Sequence, residues 1–107
     1  MEVVKRFDVH LLDLDAVPGR EARNTRLCVV ISPDEMNRRL SSVIIAPVTS
    51  SNTPYPTRVR VEVLNAERMI VLDQIQTVDR KSLVKKVGEL DAETQTAVLS
   101  ILAELFA

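Results

Sequence analysis

Three arginines, Arg20, Arg23 and Arg26, fall within seven residues of the segment Gly19-Arg20-Glu21-Ala22-Arg23-Asn24-Thr25-Arg26, which runs directly into the apolar Leu27-Cys28-Val29-Val30-Ile31. Guanidinium groups match phosphate oxygens two at a time and keep their charge at any working pH. A cationic loop hung on a rigid strand therefore suits a phosphodiester polyanion, with Arg20, Glu21 and Arg23 placed to bind it and Arg26 at the loop's end. A solvated turn would have the same composition, so the rest of the chain decides. Thr49 and Ser50 follow the apolar run Val43-Ile44-Ile45-Ala46-Pro47-Val48. From that base Thr49 can donate to a phosphate oxygen with Ser50 in support, or simply satisfy its own turn. Asp73 can accept a proton or orient Arg26, and Gln74 can read a base edge. Both can equally tie neighbouring strands together.

Other chemistries find less support. His10 is the only histidine, so a paired-histidine acid–base site cannot be assembled within one chain, and it reads as a strand-surface residue. Asp13 and Asp15 share a face at a strand end, but no third carboxylate accompanies them, and a solvated strand end is preferred to a metal site. The single cysteine, Cys28, lies in an apolar run and reads as packing in a reducing compartment. With only Gly19 and Gly88, the chain has no glycine-rich phosphate loop. No cofactor is called for.

The elements that must position these groups follow from composition and pattern. The 107 residues make one domain, 46% hydrophobic, with two phenylalanines, one tyrosine and no tryptophan, so its core is built from Val, Ile and Leu and favours strands. A net charge of −1 excludes a nonspecific nucleic-acid coat protein. The charge is unevenly spread. Residues 20–60 hold seven arginines against Glu21, Asp34 and Glu35, whereas residues 88–107 hold four acids and no base, which predicts one cationic face. No segment resembles a signal peptide or is long enough to span a bilayer, which points to the cytoplasm.

Strands are predicted over 6–15, 27–31, 43–48, 57–63, the region 69–78, and 85–90. The strict alternation of Thr57-Arg58-Val59-Arg60-Val61-Glu62-Val63 marks an edge strand. Ser32-Pro33-Asp34-Glu35 predicts a helix start, with Ser32 as N-cap and Glu35 completing a capping box. Asp79 caps a short helical turn. Asp91 opens a final helix whose Val98, Ile101, Leu102 and Leu105 form an apolar stripe for the molecule's own core. The expected architecture is mainly β, a compact curled sheet or small barrel with short helical insertions and a C-terminal α-helix.

With its residues in the order Gly19-x-Glu21, Arg26, Cys28-Val29-Val30-Ile31-Ser32, Asn37-Arg38, Ala46-Pro47-Val48-Thr49-Ser50, Tyr55-Pro56 and Leu72-Asp73-Gln74-Ile75-Gln76-Thr77-Val78-Asp79, nearly the whole chain resembles the MazF/PemK/Kid toxins. The resemblance implies an SH3-like β-barrel spanning residues 1–107. It also implies a homodimer that cleaves single-stranded RNA at short sequences without a metal, and so inhibits translation and growth. The partner it implies is a cognate antitoxin with an acidic, partly disordered tail. Arg26 and Thr49 match the family's loop arginine and strand-end threonine, with Asp73 as a further catalytic candidate and Arg20, Glu21, Arg23, Ser50 and Gln74 as RNA contacts. There are departures. Phe7-Asp8, Glu21-Ala22 and Arg26-Leu27 stand where the family commonly has Gly-Asp, Glu-Gln and Arg-Pro, and Val71 stands where one branch carries a catalytic arginine. The Val71 and Leu27 departures allow one alternative, an inactive antitoxin-binding paralogue, and a second is a non-catalytic CcdB-like barrel that acts by protein binding. The second is disfavoured because CcdB anchors through a C-terminal tryptophan, which Glu104-Leu105-Phe106-Ala107 lacks.

Overall fold

A computed structural model of the chain describes residues 3–14, 25–51 and 53–107. Asp15, Arg20, Glu21 and Arg23 lie outside the described residues. Within them the chain forms strands β1 (Asp8–Leu12), β2 (Arg26–Val30), β3 (Ser42–Thr49), β4 (Arg58–Val63), β5 (Ala66–Val71), β6 (Gln76–Asp79) and β7 (Leu83–Glu89). Helix α1 (Asp34–Arg39) connects β2 to β3, and α2 (Ala92–Leu105) ends the chain. The sheet runs β4-β5-β3-β2-β1-β7, and all its pairings are antiparallel.

Strand β3 is the hub. One edge pairs with β2, while the other pairs with β6 through Ser42–Ile45 and with β5 through Val48 and Thr49. Serving two partners on one edge curls the sheet into a half-barrel with apolar side chains on both faces. One core gathers Val9, Val29, Val48, Ile70 and Leu72 under Val98 of α2. The other gathers Leu12, Cys28, Val30, Val43, Ile45 and Val78. Burial on both faces explains why β2 and β3 read as unbroken apolar runs instead of alternating.

At the sheet's end, β4 keeps the predicted alternation: Val59, Val61 and Val63 are buried, and Arg60 and Glu62 are exposed. Leu64 and Asn65, with φ of 52° and 62°, form a two-residue left-handed turn that returns the chain along β5. The final helix opens as expected, with the Asp91 carboxylate accepting from the Thr94 N–H at 2.8 Å and Val98 fully buried, but Leu105, expected in the core stripe, is 38% exposed. Asp79 likewise accepts from Lys81 N at 2.9 Å and caps the short turn Arg80–Ser82.

Four expectations need correction. Pro33, not Ser32, occupies the N-cap of α1 and makes no side-chain cap bond, so there is no capping box. Ser32 is instead buried, donating its hydroxyl to Asn37 Oδ1 at 2.5 Å and accepting from Ile44 N at 3.1 Å. The region 69–78 is not one strand, because a 3-10 turn over Leu72–Gln74 separates β5 from β6. His10 is buried at 4% exposure, its Nε2 lying 3.8 Å from the carboxylate of the equally buried Asp8. Lys86 Nζ reaches the same carboxylate at 3.3 Å, so the polar groups of β1 face an internal charge cluster that joins it to β7. Finally, Asp13 is buried, not solvated, and its N–H donates to Ser82 O at 2.8 Å.

Candidate functional site

Arg26 opens β2 and is exposed, next to half-buried Leu27 and buried Cys28. Antiparallel pairing sets Cys28 opposite Pro47 of β3, and continuing along β3 brings Thr49 and Ser50 to the same end of the sheet. There the surface opens into two adjoining depressions. One, of about 450 Å³, is lined by Arg26, Thr49, Ser50, Arg68, Val71 and Gln74 among others. Its neighbour, of about 530 Å³, shares Arg26, Leu27, Pro47 and Gln74 and extends to Leu14 and Gln76. The groove thus draws together residues widely separated in sequence, with Pro47 and Leu27 as an apolar floor.

Each polar group is held in a particular way. Thr49 Oγ1 accepts from Ser51 N at 3.2 Å. That bond fixes the hydroxyl oxygen and leaves its proton to be donated elsewhere. Gln74 reaches the groove because it ends the 3-10 turn Leu72–Gln74, whose Leu72 is anchored in the core at 1% exposure. Asp73, one residue before, points its carboxylate elsewhere. It accepts from Thr57 Oγ1 at 2.8 Å and lies 3.9 Å from Arg58 Nε, so its contacts run to the start of β4 and not to Arg26. Arg58 in turn sits over the Tyr55 ring at 5.7 Å.

Among the described residues neither Arg26 nor Arg68 has a carboxylate within ion-pair distance, whereas Arg38 and Arg39 are held by Glu35, Arg58 by Asp73 and Lys86 by Asp8 and Glu89. A groove that carries unneutralised guanidiniums favours an anion. Sequence reading missed Arg68. The signal lies in the turn: counting back from Leu64-Asn65 pairs Arg68 with Val61 and sets β5 beside the Thr49 end of β3.

Among the described residues the groove offers no thiol nucleophile. Cys28 is buried beneath it, and desolvation pushes the thiol up to about 12, only partly opposed by a backbone hydrogen bond from His10. Among the described residues no group of three His, Cys, Asp or Glu side chains could hold a metal ion, and no helix is long and apolar enough to cross a membrane.

The curled sheet capped by a C-terminal helix is shared with known proteins. The sequence model for the PemK-like, MazF-like toxin of type II toxin-antitoxin systems matches residues 5–106. The chain belongs to this family. Endoribonuclease EndoA of Bacillus subtilis (strain 168) is 33% identical over 102 residues, covering 90% of this chain and 88% of that protein. Solved MazF-like structures share the fold. The Mycobacterium tuberculosis toxin MazF-mt6 superposes with a TM-score of 0.78 at 22% identity over 92% of this chain and 95% of its own. A MazE-MazF crystal structure from Deinococcus radiodurans reaches 0.81 at 20% identity over 100% of this chain and 98% of its own. A mycobacterial endoribonuclease in complex with its cognate antitoxin gives 0.79 at 21% identity, over 99% and 95%. For this MazF-like chain, the groove on the Arg26–Thr49 side is the candidate active site.

Proposed function

We propose that this chain is the endoribonuclease toxin of a type II toxin-antitoxin pair, acting in the cytoplasm and cutting single-stranded RNA in the groove lined by Arg26 and Thr49. The observation that carries the reading is the convergence there of the Arg26 guanidinium, which no carboxylate among the described residues pairs, a hydroxyl oriented by Ser51 N and the amide of Gln74. RNA brings its own nucleophile. A deprotonated 2′-oxygen attacks the adjacent phosphorus, the bond to the 5′-oxygen breaks, and the leaving oxygen takes up a proton, giving a 2′,3′-cyclic phosphate and a 5′-hydroxyl. What the protein supplies is alignment of a splayed strand and donors aimed at the charge developing on the phosphoryl oxygens.

Arg26 supplies fixed charge and a two-pronged donor. A guanidinium keeps its proton at any working pH, so charge stabilisation, not proton delivery, is its role here. Thr49 adds a second donor from the rigid end of β3. Asp73 holds Thr57 and Arg58 and is the candidate for orienting the groove's rim or accepting a proton. Gln74 contacts a base. Arg20, Glu21, Arg23 and Ser50 are proposed RNA contacts around it, and the working unit is a homodimer held in check by an antitoxin with an acidic, partly disordered tail. The cations of the groove suit such a tail as well as they suit RNA.

Single-turnover cleavage of a long RNA at saturating protein tests the assignment. Arg26→Ala is expected to lose roughly 100-fold or more in rate with a much smaller loss of affinity, and Thr49→Ala to follow the same pattern more mildly. Cleavage is expected to persist in excess EDTA. A wild-type rate for Arg26→Ala would make Arg26 a binding residue and overturn its catalytic role, and activity lost to EDTA and restored by Mg²⁺ would overturn the metal-free mechanism.

A further inference from the structure

Arg68 belongs to none of the groups assigned so far, yet it lines the same groove as Arg26, Thr49 and Gln74. It is half-buried on β5, opposite Val61. Its Nε donates to Val63 O at 3.1 Å, which pins the guanidinium to the β4–β5 hairpin while its two terminal nitrogens make no bond among the described residues. No carboxylate there neutralises it. A half-buried cation held in a fixed orientation without a counter-charge is a site that a bound anion completes.

We propose that Arg68 is a second phosphate-binding residue, gripping the RNA backbone at a phosphate next to the one that is cut. This rests on the ribonuclease reading above and extends it. β5 and β2 flank β3 on opposite sides, so Arg68 and Arg26 stand two strand spacings apart, roughly 10 Å. That span holds about one or two phosphate steps of a single strand, fewer when the strand is splayed. The scissile phosphate lies at Arg26 and Thr49, and the strand then crosses the end of β3 to reach Arg68. Arg68 therefore holds substrate and transition state alike and contributes to affinity, not to the chemical step.

The test titrates wild-type protein and variants with a fluorescent 2′-O-methyl RNA of mixed sequence, which keeps every phosphate and cannot be cut, across a series of salt concentrations. Arg68→Gln is expected to weaken binding about tenfold and to reduce the slope of log affinity against log salt by about 0.7, one phosphate contact on a single strand. Arg68→Lys is expected to keep the wild-type slope. Single-turnover cleavage by Arg68→Gln at saturating protein is expected to match the wild type. Arg60→Gln removes the same charge from the exposed face of β4 and serves as comparator, with a smaller change in slope. Should Arg68→Gln fail to fold, Arg68→Met, which keeps the aliphatic stem, takes its place.

Equal slopes for the Arg68 and Arg60 variants would overturn the proposal by reducing Arg68 to a part of the general field. A slow single-turnover rate with an unchanged slope would overturn it in favour of a catalytic role. Wild-type protein that neither binds nor cuts RNA would defeat the ribonuclease reading itself. Arg26-dependent cleavage with no effect at Arg68 would defeat only this one.

Discussion

Cys28 lies two residues along β2 from Arg26, where a thiolate would be a natural nucleophile beside a cation. Burial forbids it. With the thiol pushed up to about 12 from 9.0, native protein is expected to react with a thiol reagent only after denaturant unfolds it, and rapid labelling of the folded chain would contradict the packing role. The same shift has a pH signature. Between about 9 and about 12 the folded thiol keeps its proton while the unfolded one loses it, so this residue's contribution to stability is intact below about 9 and is lost as pH rises through that window. Urea midpoints across it are expected to fall more steeply for wild type than for Cys28→Ala; parallel curves would contradict this. The burial of Cys28 was legible from its apolar neighbours. His10 and Asp13 were not, because a polar residue in a strand looks solvated unless its partner is known, and the partner of Asp8, Lys86, lies 78 residues away in the chain.

Helix α1 shows how an element can be found for the wrong reason. Ser-Pro-Asp-Glu does start a helix, but the serine works inward. Asn37 Nδ2 donates to Ser32 O at 3.0 Å, Ser32 donates back to Asn37 Oδ1, and Arg80 Nη1 donates to Asn37 O at 2.8 Å. The helix is thus stapled to β3 and to the turn before β7 by a buried polar network. Asn37→Ala leaves the Ser32 hydroxyl and carbonyl without those partners and is expected to cost about 2 kcal/mol, read as a lower urea midpoint at unchanged slope. A change under about 0.5 kcal/mol, the size usual for surface substitutions, would show that the network carries little. The sequence pattern was most reliable where one face meets solvent, as in β4 and α2. It failed at Leu72–Gln74, since Val71 and Leu72 are both buried and an apolar run gives no sign that the chain turns between them. That turn presents Gln74, whose place in the groove the apolar pattern did not show. Arg68 became visible only through strand register.

At the scale of the whole molecule, apolar surface is left over. Leu99 and Leu105 on α2 are 41% and 38% exposed, and Phe106 just beyond it is 71% exposed, although the helix's inner face is satisfied by the core. Together with a groove that holds few cations for a long RNA, this motivates the two-fold homodimer, whose isologous interface would cover part of this surface and set two grooves side by side. Light scattering at micromolar concentration is expected to give twice the 12.0 kDa of one chain; a monomer mass would contradict it.

The pairing of β1 with β7 has a consequence in time. Asp8–Leu12 lies between a strand that follows it closely and one made of residues 83–89, and Leu90 N closes the arrangement by donating to Phe7 O at 3.0 Å. During synthesis β1 therefore waits for its second neighbour, and its buried aspartate waits for Lys86, until residues 83–89 have left the ribosome. Contacts between segments far apart in sequence form late and together. A protein whose groove would cut messages thus completes its sheet only once β7 has been made.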